Sequence, residues 1–184
     1  MMRLEFLVRR KGIDATAETC LEALQGLMGL AVERVEHGKL WRFELEGDGE
    51  RAQRKEEIAR AACRAGRYVN TNRDVYAWLD ESAAAAVVPP GHSATDLWIR
   101  EGEGNDPVAQ AYFAAKLGAR LLHLQHGTLY RLWAPLADPA AARAFALEVA
   151  VSKSRRQGLL MNPHSQTLEV LRVWRHESGE EGRY

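Results

Sequence analysis

His37-Gly38-Lys39-Leu40-Trp41-Arg42-Phe43 and His126-Gly127-Thr128-Leu129-Tyr130-Arg131-Leu132 are two versions of one pattern, 126 − 37 = 89 positions apart. At the same offset Gly29 falls on Gly118, Val32 on Leu121 and Val35 on Leu124. The offset is 106 − 14 = 92 at Asp14 and Asp106, and 162 − 70 = 92 at Asn70 and Asn162. Self-similarity at a fixed period is the signature of an internal duplication, with units of roughly 80–90 residues. The change of 92 − 89 = 3 predicts a first helix shorter by about one turn in the second unit. Each His-Gly is expected to form a tight hairpin, because glycine takes positive φ freely and histidine tolerates it.

The rest of each unit reads outward from that pattern. Leu4, Phe6 and Val8 alternate with charged neighbours, as in a half-buried strand. Asp14 offers an N-cap, and Ala17, Cys20, Leu21, Leu24, Leu27 and Met28 recur at helical spacing before Gly29. A second helix is predicted over 50–65, with Ile58, Ala62 and Ala65 inward, and a strand over 75–79. Residues 82–93 read as a linker. The order then returns: a strand around Leu97 and Ile99, a helix from Asp106-Pro107 to Gly118, and the second hairpin. A helix from Asp138-Pro139 to about Lys153 and a strand over 167–173 complete it. The predicted class is therefore α+β, two tandem β-α-β-β-α-β (ferredoxin-like) units packed as a pseudo-dimer. Their bounds are 1–81 and 94–175, with a polar tail at 176–184. Such a sheet carries helices on one face, and the two copies are expected to cover each other's open faces.

Composition narrows the function. Of 184 residues, 46% are hydrophobic and 27% charged, and Lys plus Arg equals Asp plus Glu at 25 each. That balance gives no basic excess for nucleic acid. No stretch approaches the roughly 20 apolar residues of a membrane span, and the first residues lack a signal-peptide core. Cys20 and Cys63 match no metal or redox spacing, so a cytoplasmic protein with reduced thiols is expected.

Motifs of chemistry are scarce. There is no P-loop, GxGxxG, GxSxG or HExxH. The glycines of Gly102-Glu103-Gly104 precede a helix, but two acidic neighbours argue against an anion there. His123 and His126 are three apart in a strand, which puts them on opposite faces and disfavours a shared metal. No catalytic set, metal or cofactor is expected. Trp98, Trp133 and Trp174 are candidate exposed aromatics, the kind enriched at protein interfaces.

In element order and in short motifs the chain resembles the small subunit of phosphoribosylformylglycinamidine synthase, the PurS family. Unit one carries Leu24, Met28-Gly29, Gly38-Lys39, Cys63 and Asn70 of the family pattern. Unit two carries Asp106-Pro107, Leu117-Gly118 and Leu159-Leu160-Met161-Asn162-Pro163. The chain departs at Thr71 and Thr128, where proline and lysine are expected, and at His164-Ser165-Gln166, where an acidic residue is expected.

The resemblance implies an accessory subunit without chemistry of its own. It would bridge a glutaminase and an ATP-dependent synthetase in purine biosynthesis, here as a monomeric pseudo-dimer or a homodimer. The implied partner-contact residues are Gly38, Lys39, Asn70, Asp106, Pro107, Gly127, Asn162 and Pro163, split unequally between the units, so binding is expected to be asymmetric. Two rival readings are a ligand-binding (ACT-like) regulatory or general protein-interaction module and an enzyme using His123 or His164.

Overall fold

The structure is a computed structural model that describes residues 1–47, 50–81, 85–151 and 158–176. Strand β1 (Met2–Arg10) leads to helix α1 (Ala15–Glu22), which runs on through a π-helical turn, Ala23–Leu27. Asp14 starts α1 by accepting from the Thr16 and Ala17 amides. Strand β2 (Arg34–Leu45), helix α2 (Arg51–Ala65) and strand β3 (Asp74–Trp78) follow. The same order recurs as β4 (Ser93–Glu101), α3 (Pro107–Ala114), β5 (Leu121–Ala134), α4 (Pro139–Ala150) and β6 (Gln166–Arg175). Asp106 caps α3 as Asp14 caps α1, with Pro107 in the first turn. Helix α1 with its π turn has 8 + 5 = 13 residues and α3 has 8, a shortening in the expected direction. Helix α3 ends before Gly118; residues 82–84, Lys153 and 177–184 lie outside the described residues.

The six strands form one antiparallel sheet, ordered β3-β1-β2-β5-β4-β6. Neither expected hairpin exists. His37-Gly38 and His126-Gly127 lie inside the continuous strands β2 and β5, so each half supplies three strands, in the order β-α-β-α-β. Neither glycine has the positive φ such a turn requires. Their role is close approach of a neighbouring strand. A Cβ on Gly127 would run into the Ile99 carbonyl oxygen and lie 2.7 Å from Trp98 Nε1; one on Gly38 would lie 2.8 Å from the Val8 carbonyl oxygen.

The halves join edge to edge, not face to face. Strand β2 pairs with β5 along its whole length, and Gly38 faces Leu129 while Leu40 faces Gly127. With an offset of 89, Leu129 is the counterpart of Leu40 and Gly127 of Gly38. The pairing is therefore two-fold symmetric, and its centre is Lys39 opposite Thr128, since 39 + 89 = 128.

All four helices pack on one sheet face, and both cores are shared between halves. Helices α2 and α3 enclose Leu4, Phe6, Trp41, Phe43, Ile58, Phe113 and Leu124. Helices α1 and α4 enclose Cys20, Leu24, Val35, Leu97, Leu132 and Val149. Burial pushes the Cys20 thiol pKa up to about 11. The other face is closed by curvature. Leu79, just after edge strand β3, joins Leu7, Leu40, Trp98, Leu129 and, from edge strand β6, Leu171 in one cluster.

The glycine geometry makes a prediction. Gly127→Ala should lower stability by about 2 kcal/mol, because the neighbouring strand must move. Gly26→Ala, with open space around its Cβ position, should change stability by less than about 1 kcal/mol, towards higher stability. Urea unfolding of both variants checks this.

Candidate functional site

A groove of about 400 Å³ opens on the helix-bearing face at the symmetry centre, where Lys39 and Thr128 both line it. Its wall is built from the repeated pattern. Asp106 Oδ1 accepts from the Val108 and Ala109 amides, and Asp106 Oδ2 lies 4.0 Å from His126 Nε2. The His126 ring packs on Trp41 with centroids 4.9 Å apart, and Tyr68 meets Trp41 edge-on at 5.3 Å. Burial raises the Tyr68 phenol pKa, against the opposing charge of Arg67, and favours its protonated form.

The symmetric partners of these residues repeat the arrangement. His37 Nδ1 lies 3.0 Å from Asp14 Oδ2, and the His37 ring packs on Tyr130 at 5.4 Å. In each half a histidine thus ties the helix cap to the junction and packs on an aromatic ring of the other half. That is the role of His37 and His126, in place of the expected turn.

Charge distinguishes the groove from the hollow near His37. In that hollow Arg9 and Arg34 both pair with Glu36. In the groove, the exposed Lys39 and Arg67 have no ion pair among the described residues. The carboxylates there are already engaged: Glu101 accepts from the Gln166 side chain, and Asp106 caps α3. The groove therefore presents two cations that are not ion-paired among the described residues, with two carboxylates and aromatic and apolar surface beside them.

A second charged cluster lies on the concave face. Arg42 donates to Glu5 at 2.8 Å and grips both Glu169 oxygens at 2.9 Å. Arg131 grips Asp96 at 2.5 and 2.9 Å, and Trp174 Nε1 donates to the same carboxylate at 2.8 Å. The Arg42 and Arg100 guanidinium carbons lie 4.3 and 4.5 Å from the Trp98 ring centroid. Since Glu169 is on β6 and Arg42 on β2, this cluster holds the curl of the sheet.

Trp98 and Trp133 are not exposed: they are 0% and 4% accessible, Trp98 because the curl turns it inward and Trp133 because Val88 packs on it and the Val87 carbonyl accepts from its Nε1. Trp174 is half-buried. Of the expected contact residues, Lys39, Asp106 and Gly127 meet at the groove, and Gly38 is buried beside it. Pro107 is exposed in the first turn of α3. Asn70 and Asn162 begin matching exposed turns, accepting from the Asn72 and His164 amides, with Pro163 exposed in the second. His123 stands opposite Glu44, while His164 lies in the turn before β6, so the two enzyme candidates sit on different elements. Arg67, Tyr68 and Tyr130, which line the groove, carry no motif; only the repeat offset marks Tyr130, as the counterpart of Trp41.

Among the described residues, no group of three His, Cys, Asp or Glu side chains is placed to hold a metal ion, and no helix is long and apolar enough to cross a membrane. No family model matches the chain. No curated protein and no solved structure matches it either.

The concave cluster sets an acid dependence. Hydrogen bonds from Arg42 hold the Glu169 carboxyl below its ordinary value, against desolvation. A depressed carboxylate stabilises the fold above its unfolded pKa of about 4.3, and that stability is lost as pH falls through the lower folded value. Because Glu169 is 36% exposed, the effect is discounted to about 1 kcal/mol or less. Glu169→Gln should flatten the fall of stability with acid below about pH 4.3. An equally steep fall in wild type and variant, by chemical unfolding at several pH values, would sink this assignment.

Proposed function

We propose that this chain is a covalently joined dimer of a PurS-like unit. It would work in the cytoplasm as a non-catalytic assembly subunit of phosphoribosylformylglycinamidine synthase, bridging the glutaminase and the ATP-dependent synthetase. The observation that carries the reading is the two-fold pairing of β2 with β5 about Lys39 and Thr128. A symmetric junction with both cores shared across it is what a homodimer interface looks like, and linking its halves removes the cost of association. The pattern residues serve that junction, as cap ties, close approaches and cross-half ring contacts. Lys39, Asn70, Pro107, Asn162 and Pro163 are exposed, as partner-contact residues must be. Symmetry is broken at its own centre, with lysine facing threonine, which supports asymmetric binding of two different partners.

The test mixes the purified chain with the glutaminase and synthetase subunits. Co-elution as one complex and faster glutamine-dependent amidine synthesis are expected. A chain that neither joins the complex nor changes the rate contradicts the proposal.

A further inference from the structure

We propose that the groove at the symmetry centre binds a small aromatic anion, a flat ring carrying a phosphate or similar group. This goes beyond the assembly role and does not depend on it. The volume, about 400 Å³, is in the range of small-ligand sites. Lys39 and Arg67 are its two cations without ion pairs among the described residues. They supply the charge an anion needs, one as a compact ammonium and the other as a planar fork. The carboxylates Glu101 and Asp106 line the same groove and keep their charge, but among the described residues neither forms an ion pair with Lys39 or Arg67, so both cations stay open to a ligand. Ile99, Leu160 and Tyr130 supply apolar surface for the ring.

Trp41 adds an independent sign. It lines the groove, is 6% accessible, and its Nε1–H has no acceptor among the described residues. Buried donors are ordinarily satisfied, and an acceptor-bearing occupant would satisfy this one. Free phosphate and an esterified aromatic phosphate share the anion; the groove's mixed lining favours the second. The hollow near His37 differs, because two of its three arginines, Arg9 and Arg34, are already paired with Glu36.

The experiment titrates the full chain with phenyl phosphate, inorganic phosphate and phenol, following backbone amide shifts by NMR. Phenyl phosphate should saturate with a Kd of about 1 mM or tighter, and with shifts centred on Lys39, His126, Gly127 and Thr128. Phosphate alone and phenol alone should each bind at least about tenfold more weakly. The double variant Lys39→Met/Arg67→Met should lose about tenfold in affinity, while Lys39→Arg keeps most of it. Both positions are exposed, so an unchanged amide spectrum away from the groove verifies folding. Three outcomes overturn the proposal: no saturation by about 20 mM, shifts centred elsewhere, or binding undiminished in the double variant. Each leaves the assembly role standing, because that role is read from complex formation without added ligand.

Discussion

The pairing of β2 with β5 is the constraint on which the rest of this molecule depends. It uses the full length of β2, whereas β1 meets β2 only over residues 2–8. A strand edge left open is a site for uncontrolled pairing, and here the two halves use their inner edges on each other. Once those edges are joined, the two helix pairs are forced to sit side by side on one face. Each pair then contains one helix from either half, so neither core belongs to one half alone. The glycines at 38 and 127 follow from the same geometry, since β1 and β4 pass close over them.

Curvature settles the opposite face. A flat six-stranded sheet with helices on one side would expose the other to water. This sheet curls until the chain after β3 reaches β6, which buries Trp98 without a second layer. The most deeply buried ion pair in the curl, Arg131 with Asp96, is tolerated because its charges are paired. Arg131 and Asp96 are both about 1% accessible, and their two hydrogen bonds offset the desolvation such a pair suffers. The groove behaves in the opposite way. Its cations stay in water on the helix side, where neither forms an ion pair among the described residues.

Much of the fold was legible in the sequence, for definite reasons. The helix starts were visible because Asp14, Asp106 and Asp138 place a carboxylate where free amides need one. The strands at Leu4 and Leu97 were visible from alternation. The hairpins were misread because His-Gly satisfies the chemistry of a tight turn and of a close strand crossing equally well. Only a neighbouring strand, remote in sequence, decides between them. Trp98 and Trp133 were misread for a related reason. What covers them is remote in sequence: for Trp98 the curl of six strands together, and for Trp133 the segment before β4. The groove was half legible. Lys39, Asp106 and Gly127 were marked by family-like motifs, whereas Arg67 and Tyr68 reach it only because α2 ends beside α3.

The repeat offset and the strand register are independent observations, and they agree on a single centre at Lys39 and Thr128. On that account the two halves are expected to form one folding unit in which the junction is the last element to open. Native-state hydrogen exchange tests this most directly. Amides in β2 and β5 that bond across the junction should exchange only through global unfolding, with the same free energy as the most protected amides in β1 and β4. Junction amides that exchange by a cheaper, local opening while β1 and β4 stay protected would show two independent domains and contradict the account.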